Sequence, residues 1–225
     1  MFFAIDKLNL KLIWDTQQIA HEAFSFCLTH QRKTEFRRLC ETLRSHLASS
    51  QKYSNQLHSI NLSEPETLQR HLDTRFHQLN TAVELELWQE AFRTAEDIHG
   101  LVTMSKRQPK ASMMVSYYEK LVKVFAVGNN FLFHAAAYGK FHSTQVTSAK
   151  GEAETSKAAS LVLLSALAVP VAGEGLARRR DGSAIEETES ARNKAIRLAA
   201  LLGLNSTPTR AELLRDAVSL QAYLT

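Results

Sequence analysis

The chain has 225 residues, 44% hydrophobic and 22% charged, with a formal net charge of +4. That balance fits one or two domains with a sizeable core and excludes a disordered chain. Eight glycines and four prolines are too few for the frequent turns of an all-β fold, so helix formers dominate instead.

Two cysteines, Cys27 and Cys40, form neither a CxxC pair nor a metal spacing. Each falls on the apolar side of a helical pattern and is expected to be a small buried hydrophobe, as suits a reducing, cytosolic compartment. The N-terminal Phe2-Phe3-Ala4-Ile5 is interrupted by Asp6 and Lys7 before a signal-peptide core of about 7–15 apolar residues forms. The longest apolar stretch, 158–172, contains Pro170 and is shorter than the roughly 20 residues a membrane span needs. It reads as a buried helix.

A helical apolar stripe restarts every twenty-odd residues. Ile19, Ala20, Ala23, Phe24, Cys27 and Leu28 line one face of a helix running back toward Trp14. Thr34 then opens a helix with the stripe Phe36, Leu39, Cys40, Leu43 and Leu47, and with Arg37, Glu41 and Arg44 on its other face. A polar stretch over 49–61 leads to Ser63-Glu64-Pro65-Glu66, a capping box with proline in the first turn.

Leu68, Leu72, Phe76, Leu79 and Val83 form the next stripe, and Leu87, Trp88, Ala91, Phe92, Ala95 and Ile98 the one after, stopped by Gly100. Residues 66–99 therefore predict a helical hairpin broken near 84–87. Lys106-Arg107-Gln108-Pro109-Lys110 is a basic loop. A stripe from Met114 to Phe125 ends at Gly128, and a helix follows over about 130–142. Residues 143–156 and 172–185 read as flexible loops, the second carrying Arg178-Arg179-Arg180. The apolar run 157–169 predicts a central helix. A helix over about 186–202 ends at Gly203, and Thr207-Pro208-Thr209-Arg210-Ala211-Glu212 caps the last one.

These elements predict an all-α fold of one domain over 1–225, built of stacked helical hairpins in a right-handed superhelix of the TPR or HEAT kind. A compact bundle is the alternative. The expected core includes Phe36, Leu39, Leu43, Phe76, Trp88 and Phe92.

No catalytic constellation emerges. His21-Glu22-Ala23-Phe24-Ser25 opens like a zinc-protease helix, but a serine stands where the second imidazole must be. No histidine joins a serine or cysteine and a carboxylate as a triad, and Val127-Gly128-Asn129-Asn130 is no phosphate loop. Glu84, Glu86, Glu90, Glu96 and Asp97 lack the spacing of a calcium loop and are expected to face solvent or a basic partner. The expectation is a protein that is not an enzyme and takes no cofactor, metal or small-molecule substrate. Its positive residues are the candidate contacts for a phosphate backbone such as RNA or for a partner protein: Arg32, Lys33, Arg37, Arg38 and Arg44 in one group, and Lys106, Arg107 and Lys110 in another. No aromatic stacking motif of the RRM kind accompanies them.

Three blocks are specific enough to carry a resemblance. They are Arg32 to Glu41 with Leu43-Arg44 and His46-Leu47; His71 to Phe76 with Gln78-Leu79; and Glu84 to Arg93 running into Glu96-Asp97-Ile98-His99-Gly100. Tyr117-Tyr118, Phe133-His134-Ala135, Leu163 to Pro170 and Leu201 to Leu204 before Pro208-Thr209-Arg210 agree in order. Over residues 14–220 the chain resembles the family of the largest subunit of eukaryotic translation initiation factor 3, in forms closest to the fungal ones. The resemblance implies the helical-repeat arm of a PCI-domain subunit, cytoplasmic and without catalytic residues. It also implies a scaffold that assembles with the factor's c and b subunits, helps seat the factor on the small ribosomal subunit, and supports preinitiation-complex formation and mRNA recruitment. The chain ends where that family's winged helix should begin, so this module is expected to be truncated or absent and the chain a fragment or shortened product. A PCI protein of another assembly, such as the proteasome lid or signalosome, and a helical hydrolase are the rival readings.

Overall fold

The structure, a computed structural model, describes residues 2–53, 60, 62, 64–105, 109–148, 152–170 and 184–220, with side chains from residue 11 onward except at 152–153 and 184–188. Among the described residues every regular element is an α-helix and no strand occurs. The chain forms two compact units, Met1–Pro109 and Lys110–Thr225.

The first unit holds α1 (Phe2–Thr29), α2 (Lys33–Lys52), α3 (Pro65–Glu84) and α4 (Trp88–Met104). The second holds α5 (Ala111–Val127), α6 (Phe131–Thr147), α7 (Glu152–Leu167), α8 (Ala184–Leu201) and α9 (Arg210–Ser219). The hairpin break expected near 84–87 is where α3 gives way to α4.

Three hairpins, α1–α2, α3–α4 and α5–α6, share one connection. In each, a non-glycine residue adopts the left-handed conformation: Gln31 (φ 54°), Glu86 (φ 58°) and Asn129 (φ 52°). The next residue donates its N–H five residues back, Arg32 to Cys27 at 2.8 Å, Leu87 to Ala82 at 2.8 Å and Asn130 to Phe125 at 3.0 Å. This closes the end of the first helix by satisfying its orphan carbonyls. The same residue then enters the next helix with nearly constant dihedrals, φ/ψ −84°/71°, −89°/68° and −93°/69°. A left-handed L-residue costs about 1–2 kcal/mol, so hydrogen bonds and packing impose the turn against local preference.

Glycine is the expected stop signal, and here the structure differs. Gly100 lies exposed inside α4, which continues to Met104. Gly128 caps α5 with φ −75°, and Asn129 takes the left-handed position. Only Gly203 (φ 62°), just past α8, fills that position itself. At the start of α3 the N-cap is Glu64, which makes no side-chain capping bond, and Pro65 occupies the first turn. Ser63 lies outside the described residues. Within the capping segment of α9 a capping box forms: Thr209 Oγ1 accepts from the Glu212 N–H, and the Glu212 carboxylate accepts from the Thr209 N–H.

Most of the loop expected over 143–156 is helix, because α6 runs to Thr147 and α7 starts at Glu152. Of the loop expected over 172–185, all but the last two residues lie outside the described residues, and Ala184 opens α8.

The core of the first unit is built on Phe24 and Phe36, both fully buried with ring centroids 5.5 Å apart, together with Leu72, Phe76, Leu79, Ala91, Ala95 and Ile98. Four expected core residues, Leu39, Leu43, Trp88 and Phe92, are only half-buried. The reason for the leucines is that α2 packs chiefly on α1, so its stripe is covered along one edge. Trp88 and Phe92 flank the face of α4 that small residues, Ala91, Thr94 and Ala95, bring close to its neighbours.

Truncating a fully buried phenylalanine costs about 3–5 kcal/mol, and a half-covered side chain costs less in proportion. Phe36→Ala is therefore expected to lower the stability of this unit by about 3–5 kcal/mol, and partly exposed Trp88→Ala by less. Both tryptophans of the chain, Trp14 and Trp88, lie in this unit, so urea titration followed by tryptophan fluorescence reads it specifically. Equal losses for the two variants would contradict the burial order.

In the second unit α6 packs between α5 and α7, with Phe125 and Phe133 at 6.1 Å, and α9 packs on α6 and α7. The Tyr117 hydroxyl donates to the Leu201 carbonyl at 3.2 Å, tying the end of α8 to α5. Arg210 Nε donates to the Val169 carbonyl at 2.9 Å. α7 is not the central helix its apolar run predicts: Leu164 and Leu167 are 62% and 53% exposed, because only one face meets α6 and α9. Among the described residues no helix is long and apolar enough to cross a membrane.

Candidate functional site

Arg44 looks in sequence like one more cation of a basic helix, but the structure gives it a different task. Its guanidinium donates to three carboxylates: Nη2 to Glu90 at 2.7 Å, Nε to Asp97 at 3.0 Å and Nη1 to Glu41 at 3.2 Å. Glu90 is 8% exposed. Arg75, 3% exposed, stands beside this group with Nη1 on Gln78 Oε1 at 2.7 Å and 3.7 Å from Asp97. Gln78 passes the chain on to the Thr94 hydroxyl at 2.9 Å. A buried polar network thus joins α2, α3 and α4.

Burial opposes the charge on Arg44, but the hydrogen bond to Glu90 and the nearby Asp97 outweigh it and hold the guanidinium more firmly charged than usual. Burial lowers the pKa of Arg75, an effect that Asp97 opposes. The acidic cluster read from sequence therefore splits. Glu84 and Glu86 are exposed, while Glu90 and Asp97 find their basic partner inside the chain.

The other four cations of the group stay together at the start of α2. Arg32 is its N-cap and pairs with Glu35 at 2.9 Å. Lys33, Arg37 and Arg38 are exposed, and among the described residues no ion-pair partner holds them. Lys110 is exposed and precedes α5 as its N-cap. Lys106 and Arg107 lie outside the described residues, as do Arg178, Arg179 and Arg180.

The zinc-like segment is a packing feature. Ser25 Oγ donates to the His21 carbonyl at 3.0 Å, and the His21 ring stacks on His77 with centroids 4.5 Å apart and planes 16° from parallel. Burial, then the neighbouring His77, lowers the pKa of His21, and burial lowers that of His77. Burial and the Arg75 charge depress His71 to about 4. Cys27 and Cys40 are free and buried, and burial raises both thiols, Cys40 to about 12. Among the described residues no three His, Cys, Asp or Glu side chains are placed to hold a metal ion.

Sequence reasoning missed the Arg44–Arg75 network, although Arg75 carries a signal. It lies three residues after Leu72 and four before Leu79, on the same helical face as that apolar stripe. A charged residue there must be buried and paired.

Comparison with known proteins agrees with the resemblance. The family model described as "eIF3a, PCI domain, TPR-like region" matches residues 4–225. The A subunit of eukaryotic translation initiation factor 3 from Mycosarcoma maydis is 53% identical over 216 residues, 94% of this chain and 21% of that protein. Its counterparts from Coccidioides immitis and Emericella nidulans are 52% and 53% identical over 228 residues, 95% of this chain and 22% of each. The chain thus spans about a fifth of the length of the curated relatives it matches. With the family model covering nearly the whole chain, the protein belongs to the family of the A subunit of eukaryotic translation initiation factor 3, of which it carries the PCI, TPR-like region.

Proposed function

We propose that this chain is a non-catalytic scaffold segment of translation initiation factor 3. It works in the cytoplasm, assembles with the c and b subunits, and helps hold the factor on the small ribosomal subunit during preinitiation-complex formation and mRNA recruitment. Family membership supports the assembly role, and so does the helical-hairpin architecture, which offers extended surfaces for partner proteins.

The observation that carries the ribosome-facing part is the charge at the start of α2. Arg32, Lys33, Arg37 and Arg38 crowd the end where the helix backbone is itself positive, and Glu35 alone offsets them there. Arg32 and Lys33, at the first turn, oppose the helix dipole, typically by about 0.3–1 kcal/mol each, an effect that fades by Arg37 and Arg38 one turn further on. An arrangement that weakens its own helix is best accounted for by an anionic partner, and exposed Lys and Arg with reach suit a phosphate backbone. Lys106, Arg107 and Lys110 are the second proposed contact, with the same chemistry.

Affinity capture of the chain from a fungal extract, followed by mass spectrometry, tests the assembly role. The other components of initiation factor 3 are expected to be enriched. Enrichment of proteasome-lid or signalosome components in their place would overturn the proposal.

A further inference from the structure

Between α1, α2 and α3 lies a groove of about 260 Å³, separate from the basic start of α2. Leu12, Ile13 and Leu43 give it apolar walls, and Arg70 and Arg75 supply a cationic side with His71 between them. Among the described residues no aspartate or glutamate lines it. Two buried polar atoms, Arg70 Nε and His71 Nε2, have no hydrogen-bond partner among the described residues, although the other nitrogens of Arg70 are engaged by Glu66 at 2.9 Å and Gln17 at 3.5 Å. A buried N–H left without an acceptor is costly, so an incoming acceptor has something to gain.

We propose that this groove docks an acidic–apolar segment of a partner protein, one apolar side chain filling the groove and an adjacent carboxylate meeting Arg70 and His71. Size and lining choose this occupant. Pockets for drug-sized small molecules run from about 300 to 1,000 Å³, and this one falls below that range, the scale of one side chain with its neighbour. A nucleobase would need an aromatic or guanidinium face on which to stack. Among the described residues no phenylalanine, tyrosine or tryptophan lines the groove, and Arg70 is already paired with Glu66 at 2.9 Å. The carboxylate also suits the imidazole: His71 is held neutral by burial beside Arg75, and an arriving anion lets it carry a proton and donate from Nε2. The inference concerns unit Met1–Pro109 alone and does not require the ribosome contact proposed above.

The test is fluorescence anisotropy of the full chain with a fluorescein-labelled octapeptide that has one phenylalanine between two aspartates in a Gly-Ser background. Its twin, with asparagine for aspartate, should bind roughly tenfold more weakly, about 1.4 kcal/mol. Arg70→Gln should weaken the acidic peptide by a similar factor. Ser49→Trp, at an exposed position on the groove wall, should block it while leaving the cations in place. Helical circular dichroism is expected to stay at the parent value for both. The proposal is overturned if the two peptides bind equally or not at all, or if Ser49→Trp binds like the parent. It is equally overturned if a decauridylate displaces the peptide, which would make the groove a general anion or RNA site.

Discussion

Arg44→Met is expected to destabilise the Met1–Pro109 unit by about 3 kcal/mol, the low end of the range for breaking a buried ion pair. The loss comes from what remains. Glu90, 8% exposed, keeps its charge with only the outlying Arg93 at 3.4 Å, and Asp97 loses its 3.0 Å partner. Arg44→Lys should recover little, because one ammonium cannot present the three donor directions that meet Glu41, Glu90 and Asp97. Arg44→Met combined with Glu90→Gln should recover much of the loss, since the stranded carboxylate is gone. Arg37→Met, two turns earlier on the same face but exposed, should stay within about 0.5 kcal/mol of the parent. Urea titration read by tryptophan fluorescence measures all four. If Arg44→Met and Arg37→Met melt together, the network does not hold α2 to the rest of the unit.

That contrast marks what the sequence can and cannot disclose here. Helix existence is legible because the apolar period of 3.6 repeats without interruption, and the break between α3 and α4 is legible because the stripe restarts at Leu87. Helix ends are not. The left-handed residues at the three hairpins are Gln31, Glu86 and Asn129, and no local preference distinguishes a glutamine or glutamate bound for that conformation. The long-range hydrogen bonds from Arg32, Leu87 and Asn130 decide it. Core membership is legible for Phe36 and Phe76, whose stripes face the middle of the unit. It fails at Leu39, Leu43, Trp88 and Phe92, where the stripe is right but neighbouring helices cover only part of it.

The basic group shows the same division. Arg32, Lys33, Arg37, Arg38 and Arg44 read alike as charges in a row. Only the fold separates Arg44, 53 residues from Asp97 in sequence and 3.0 Å from it in space, from the four that remain exposed or lightly paired. Its task follows from α4 lying against the far end of α2, which composition does not carry. The block from Arg32 to Leu47 therefore combines two roles, an outward cationic start and an inward polar anchor.

Reversing the outward part, Arg32, Lys33, Arg37 and Arg38 all to glutamate, should nearly abolish binding to a phosphate backbone while the helix itself gains from the altered dipole interaction. The central claim, that these four cations and not Arg44 face an anionic partner, is tested most directly by the salt dependence of binding to purified small ribosomal subunits. Four phosphate contacts release counterions such that log K falls with log salt by roughly 3. Between 50 and 200 mM salt the parent chain should then lose roughly 50-fold in affinity. Arg44→Met, assayed where it remains folded, should show the parent's slope. The fourfold reversal should bind more weakly, with a slope shallower than the parent's by roughly 3. A reversed variant that keeps both the affinity and the slope of the parent would contradict the account, and a slope lost on replacing Arg44 alone would place the contact on the residue assigned here to the interior.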